Sequence, residues 1–304
     1  MRVTFNTFPD TLLGRLQALG GEQNKALTQL STGQRIAAPS DDTPAMPRIL
    51  SLRTEKDQNQ QYYRNSIDGL EVSKTTFVAL DQLGQLVGRG SELAAGVSGI
   101  TSDAEYKAKY SEINQLIEQG VNVANTKLRG SFLLAGDASA SATKPFDASR
   151  DANGKITTVT YAGSETSPEM NIAEGTKISA YTTSDENKDV RDALNKLIAL
   201  RDAMDAKSPS LVLTARQALS EGNTSSEDKL LSVMSRAGSI QYRLENNMKD
   251  LELRYESSEK LISTDADVDF AEATVRLNRS QMAYQAAIQS GAKIQNNSLL
   301  DYLR

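Results

Sequence analysis

Three carboxylates at alternating positions, Asp265, Asp267 and Asp269, come nearest of any residues here to a recognisable chemistry. They match the opening of a calcium-binding loop, in which oxygens at alternate positions surround a hard cation. Such a loop needs glycine at its sixth position and a bidentate glutamate at its twelfth, where this chain has Phe270 and Arg276. Helix capping, with negative charge set against a helix N-terminus, fits better. Asp41-Asp42 is the other carboxylate pair. Adjacent side chains diverge, so the pair suits capping of a helix that begins near Pro44 rather than acid–base work. Gly20-Gly21 lacks the lysine and the spacing of a phosphate loop. Tyr62-Tyr63 is expected at a helix seam or an interface.

The absences narrow the chemistry further. The 304 residues include no cysteine, histidine or tryptophan. Ordinary zinc sites draw on thiolate and imidazole, and so do Ser-His-Asp and Cys-His nucleophilic centres. An enzyme built here would have only carboxylates, lysine and tyrosine, and no cleft-forming domain can be read from the sequence. The expectation is therefore a protein that is not an enzyme and takes no cofactor or metal.

Net charge is −5, and −4 of it falls between Asp137 and Asp189. The two flanking arms are nearly neutral, and no basic stripe offers itself to nucleic acid. No apolar run approaches the roughly 18–20 residues that span a bilayer. The stretch Met1–Gly21 scatters its leucines among polar residues, unlike a cleaved secretory signal. The expected location is the cytosol, or outside the cell by a route that leaves the N-terminus intact.

Stepping outward from these residues, most of the chain has helical periodicity. Apolar residues are 38% of the total and mean hydropathy is −0.45, which suits long helices with a narrow core. Leu12, Leu16, Leu19, Ala26 and Leu30, with Gln23 filling one slot, step by fours and threes on one face until Gly33. A long second helix carries Ile49, Leu52, Tyr63, Ile67, Leu70, Phe77, Leu80 and Val87, and its seam turns polar between Lys56 and Gln61. A break at Gly96–Ser102 precedes a third helix, from Tyr106 to an end near Gly130.

The segment from Gly130 to Glu186 is rich in Gly, Ser, Thr, Ala and Asp. It predicts a strand at Ile156–Tyr161 and a strand pair turning at Glu174-Gly175. Helices follow at Val190–Ala206 and Leu211–Glu221. Leu230, Val233, Ala237, Ile240, Leu244, Met248, Leu251 and Tyr255 then step by 3, 4, 3, 4, 4, 3 and 4. The doubled four locally unwinds a coiled coil. After an interruption at Thr264 or Asp265, the stripe resumes through Phe270, Ala273, Leu277, Ser280, Tyr284, Ala287, Gly291 and Ile294. Ala287 and Gly291 are small enough to admit another backbone.

The predicted fold is mainly α: a long antiparallel coiled-coil-like bundle of N- and C-terminal segments with a small β-rich insertion. The divisions are 1–42, pairing with 265–304; helices 43–130; a β-rich piece 131–190; and returning helices 191–264.

Four segments carry a family resemblance. Leu30-Ser-Thr-Gly-Gln-Arg-Ile-Ala-Ala-Pro-Ser-Asp-Asp42 is similar to the N-terminal signature of the flagellin superfamily. Asp265-Ala-Asp-Val-Asp-Phe-Ala-Glu-Ala-Thr-Val-Arg-Leu-Asn-Arg-Ser-Gln281 resembles its C-terminal helix. Glu112-Ile-Asn-Gln-Leu116 and Asn125-Thr-Lys-Leu-Arg-Gly130 fit its N-terminal half. Ser131-Phe-Leu-Leu-Ala-Gly136, Thr160-Tyr-Ala-Gly163 through Gly175, and Ser298-Leu-Leu-Asp-Tyr-Leu-Arg304 resemble the hook–filament junction branch rather than the flagellins. One departure is Thr-Pro-Ala-Met-Pro after Asp42, a proline more than the family's usual helix start.

The resemblance implies a structural subunit exported unfolded, without signal cleavage, to the extracellular flagellum. It implies polymerisation at the end of the hook, joining hook-associated protein 1 to the flagellin filament. The implied partners are those two proteins, copies of the chain itself and a flagellar export chaperone, with no nucleic acid or membrane. The alternative is flagellin itself. On this reading the two terminal stripes pack between subunits, through Leu12, Leu16, Leu19, Leu30, Tyr284, Ile288, Ile294, Leu299, Leu300, Tyr302 and Leu303. Ordering 1–40 and 265–304 costs more backbone entropy than their own apolar side chains return. The termini are therefore expected to be loosely ordered in the monomer and to fold on assembly.

Overall fold

A computed structural model describes residues 7–138, 143–221 and 225–302, with side chains from 10 to 293. The chain is mainly helical, as the periodicity predicts. Among the described residues there are seven α-helices: α1 Thr7–Thr32, α2 Ala45–Ala95, α3 Asp103–Ala124, α4 Ser184–Asp205, α5 Pro209–Ser220, α6 Ser226–Ala266 and α7 Phe270–Tyr302. Six short strands form three separate two-stranded antiparallel sheets in the middle of the sequence. They are β1 Lys127–Leu128 with β2 Ser131–Phe132, β3 Phe146–Arg150 with β4 Ile156–Tyr161, and β5 Met170–Ala173 with β6 Thr176–Ile178.

Contacts divide the chain into two compact units, 1–58 with 254–304, and 59–253. The division of α2 falls within the polar stretch Lys56–Gln61. On the first side, Lys56 lies 4.6 Å above the Tyr255 ring and 3.4 Å from Glu259. On the second, Asn59 is buried and its Nδ2 has no hydrogen-bond partner.

In the first unit α1 packs along α7, so the N- and C-terminal helices do pair. A small core of Ile36, Ala45, Ile49 and Ala266, flanked by Met46 and Ile262, lies at one end of the pair. The helix α2 begins at Ala45, so the extra proline, Pro47, falls within the first turn, where its missing N–H costs nothing.

The second unit has the larger core. Leu80, Leu83 and Val87 of α2 meet Ile113 and Ile117 of α3 and Leu194 and Leu197 of α4, with Phe146 and Ile156 entering from the β3–β4 hairpin. A Cβ on Gly120 would come within 2.6 Å of Leu194 Cδ2, so the absence of a side chain there sets the approach of α3 to α4. Two reciprocal capping boxes, Ser102 with Glu105 and Thr183 with Glu186, fix where α3 and α4 start.

Both outer edges of the β3–β4 hairpin are closed by asparagine amides. Phe146 N–H donates to Asn125 Oδ1 at 3.1 Å, and Asn125 Nδ2 donates to Phe146 O at 2.9 Å. On β4, Val159 N–H donates to Asn195 Oδ1 and Asn195 Nδ2 returns to Val159 O, both at 2.9 Å. Each amide thus acts as one residue of a missing third strand. Asn195→Ala is expected to cost about 1–3 kcal/mol, since it strips both partners from Val159. A lower urea midpoint with an unchanged slope would register this.

The structure corrects several boundaries. The helix α3 ends at Ala124, not near Gly130. Gly130, at φ +88°, instead turns the β1–β2 hairpin together with Arg129 at φ +50°. Strand β3 is not apparent in the sequence, because Phe-Asp-Ala-Ser-Arg has one large apolar residue and no β-branched one. The burial of Phe146 and the Asn125 amide create it. The helix α4 begins at Ser184, six residues before Val190, because the Thr183–Glu186 box extends it outward past its apolar face.

Candidate assembly site

Where α1 ends, the chain forms a clasp with the α6–α7 junction. Gly33 turns at φ +72°, a backbone state that favours glycine. Its carbonyl accepts from Val268 N–H at 2.9 Å, and Arg35 N–H donates to Ala266 O at 2.6 Å. Gln34 and Asp267 form an antiparallel bridge between these bonds. Arg35 also reaches Asp265 O through Nη2 at 2.6 Å and Asp42 Oδ2 through Nη1 at 3.2 Å. Gln29, buried in α1, donates to Arg35 O at 2.8 Å.

The aspartates of both signatures serve this clasp. Asp42 Oδ1 accepts from Ala45 N–H at the start of α2, at 3.1 Å. Asp41 Oδ2 accepts from Ala37 and Ala38 N–H in the preceding turn, and its Oδ1 lies 2.8 Å from Lys25 on α1. The three alternating carboxylates part company. Asp265 meets Arg48 at 3.4 Å, Asp267 accepts from Ser263 Oγ at 2.5 Å, and Asp269 Oδ1 accepts from Ala271 and Glu272 N–H at the start of α7.

Hydrogen bonding to the Lys25 ammonium, then to the Ala38 and Ala37 amides, lowers the Asp41 pKa from 3.8 to about 2. The Ala45 amide and then Arg35 lower that of Asp42. A depressed carboxylate pKa contributes stability that is complete above the unfolded value and vanishes as pH falls through the folded one. The Ala37 and Ala38 amide shifts are therefore expected to titrate with a midpoint near 2, well below 3.8, and not to titrate in D41N. A midpoint at or above 3.8 would contradict the geometry.

From the clasp, α1 and α7 run antiparallel, and Leu12 lies against Gly291 towards their other end. A Cβ on Gly291 would come within 2.5 Å of Leu12 Cδ2. On α7 the buried and half-buried residues include Ala273, Leu277, Ser280, Tyr284, Ala287 and Gly291, a heptad run of mostly small side chains, with Ala283 beside it. On α1 they include Leu12, Leu16, Leu19, Gln23, Ala26 and Leu30. Leucines on one helix over small residues on the other allow a close approach.

Leu12, Leu16, Leu19, Leu30 and Tyr284 thus occupy half-buried positions on the α1 and α7 stripes. Ile288 is exposed. Ile294, Leu299, Leu300 and Tyr302 lie where the structure describes no side chains, and Leu303 lies outside the described residues. A second apolar set was missed in the sequence, Leu13 and Leu27 on α1 and Val275 and Met282 on α7, all more than half exposed, and Phe270 of the predicted stripe is as exposed as they are. Their signal was weak. Leu13, Leu27, Val275 and Met282 lie off the main stripe, and Phe270 lies on it but remains outside the core.

Comparisons with known proteins agree with this architecture. The pattern of the bacterial flagellin N-terminal helical region matches residues 13–139, and that of the bacterial flagellin C-terminal helical region matches 224–303. A flagellin of Halalkalibacterium halodurans is 27% identical over 285 residues, covering 92% of this chain and 91% of that one. The phase 1 flagellin of Salmonella naestved is 29% identical over 116 residues, 38% of this chain and 23% of that one. Among solved structures, one described as a flagellar hook-associated protein from Vibrio parahaemolyticus superposes with a TM-score of 0.64 at 18% identity, covering 75% of this chain and all of that one. FlgL of Bacillus cereus gives 0.56 at 18% identity, over 71% of this chain and all of that one. These two likenesses establish a shared fold. With the two signature regions in family order at opposite ends, around a clasp built from the signature residues themselves, the chain belongs to the flagellin superfamily.

Proposed function

We propose that this chain is a hook–filament junction subunit of the hook-associated protein 3 type, polymerising on the hook and linking hook-associated protein 1 to flagellin. The observation that carries the reading is the middle of the chain. Between two flagellin-like helical ends it has three small hairpins, and the fold is shared with FlgL and a hook-associated protein. The segments at 131–136, 160–175 and 298–304 that resemble the junction branch support it. The job is structural rather than enzymatic, performed outside the cell after export with an intact N-terminus and a dedicated chaperone.

One observation favours a second reading, flagellin itself: the Halalkalibacterium relative is a flagellin that this chain covers almost end to end. Deleting the gene separates the two. A junction subunit's loss leaves hooks in place and flagellin released into the medium. A flagellin's loss leaves hooks with their junction proteins and no filament protein anywhere. Long filaments grown from the purified chain alone would overturn the junction reading.

The seams named above, with Leu299, Leu300, Tyr302 and Leu303, are proposed to order fully only between subunits. Amide exchange is expected to be fast along 10–25 in a dilute monomer and slow after assembly. Strong protection in the monomer would refute that.

A further inference from the structure

The turn between β3 and β4 holds the chain's single Asn-Gly pair, Asn153-Gly154, on the exposed surface. Glycine leaves its own amide nitrogen sterically open, so the preceding asparagine is vulnerable to it. In the reaction, Gly154 N bonds to Asn153 Cγ, the Cγ–Nδ2 bond breaks, and Nδ2 leaves as ammonia carrying the proton from Gly154 N. Water then opens the resulting succinimide. Attack at Cγ gives aspartate, and attack at the main-chain carbonyl gives isoaspartate. Neither step needs an oxidant or a co-reactant beyond water.

The local geometry bears directly on that attack. Gly154 N–H, the hydrogen that must leave, donates to Asp151 O at 3.0 Å. Asp151 Oδ1 accepts from both Asn153 N–H and Lys155 N–H at 2.9 Å, fixing the backbone on either side of the reacting pair. Arg150 Nη1 donates to Gly154 O at 2.8 Å, and Asp151 N–H to Lys155 O at 2.9 Å. Gly154 sits at φ +81°, as in a hairpin turn closed by a glycine bulge. The nucleophilic nitrogen is therefore held by its hydrogen bond, and this turn must open before it can attack.

We propose that Asn153 is a self-modification site, converted from amide to carboxylate through a succinimide, and that the Asp151 side chain sets its rate by keeping the turn closed. Each conversion adds one negative charge close to Arg150, which is engaged by Glu118 at 2.5 and 2.7 Å. The isoaspartate product also lengthens the backbone within the turn and breaks its register with Asp151. The subunit thereby records its own age.

The test incubates the full chain in mildly alkaline buffer and follows aspartate and isoaspartate at position 153 by peptide mass mapping. Folded wild type is expected to convert about tenfold more slowly than the same chain in urea, the factor that opening the turn's hydrogen bonds imposes. Folded D151A is expected to approach the unfolded rate. D151N, whose Oδ1 still accepts both bonds, is expected to keep the wild-type rate, and N153Q to yield no product. Folded wild type converting as fast as the unfolded chain, or D151A converting as slowly as wild type with its circular dichroism intact, would overturn the proposal.

Discussion

Arg201→Ala is expected to lower the stability of the 59–253 unit by about 3–5 kcal/mol. Arg201 is fully buried on α4. Its Nη1 donates to Ile156 O at 2.7 Å and to Asn114 Oδ1 at 3.2 Å, while Nε and Nη2 hold Asp202 Oδ1 at 3.0 and 2.8 Å. One guanidinium thus ties α4 to α3 and to the first residue of β4. Alanine would leave the Ile156 carbonyl without a partner in the core and open a cavity the size of the lost side chain. Arg201→Met, which refills part of the stem, is expected to cost less, by roughly the cavity share of 1–2 kcal/mol. Urea titration followed by amide exchange within α4 and β4 reads both. Equal midpoints for wild type and alanine variant would mean that the burial carries no weight.

The second large effect concerns assembly. Leu16→Asp with Leu19→Asp places two carboxylates on the α1 face that pairs with α7. Burying a charge without a partner costs several kcal/mol, so even about 3 kcal/mol of net cost weakens association roughly a hundredfold. The double variant is expected to be exported and to abolish swimming, with hooks left bare. The 59–253 unit should melt as before, because neither residue belongs to it. Leu13→Asp with Leu27→Asp tests the outer face in the same way. If the seam variant swims normally, α1 has no part in the junction.

How much of this was legible in the sequence differs from one region to another. The α1 and α7 stripes were visible even at Gln23 and Ser280, because a seam of regular period tolerates an occasional polar slot-filler. The strand pair around Glu174-Gly175 was visible because glycine at φ +66° punctuates two short runs. Arg201 was not legible. It lies beside Leu197, Ile198 and Leu200 in a helix whose pattern is satisfied without it, and its acceptors are 45 and 87 residues away in sequence. The clasp was half legible. Asp41 and Asp42 were recognisable as local acceptors, and Asp42 does serve the start of α2. That Asp41 organises the turn before it, and that Arg35 reaches a carbonyl 230 residues on, depends on tertiary geometry that spacing does not encode. The three alternating aspartates show why composition alone misleads: each answers to a different neighbour.

That distance of 230 residues has a kinetic meaning. The hairpins and α3 close within short stretches of chain, which form quickly because little loop entropy is spent. The Arg35–Asp265 clasp, by contrast, cannot exist until nearly the whole polypeptide is present, and the α1 stripe has no mate until α7 arrives. A chain synthesised N-terminus first therefore presents α1 unmated until α7 has followed. The clasp is complete at Val268, before α7 begins, so a chain cut there would hold the end of α1 in place and still leave its leucine stripe without a partner helix.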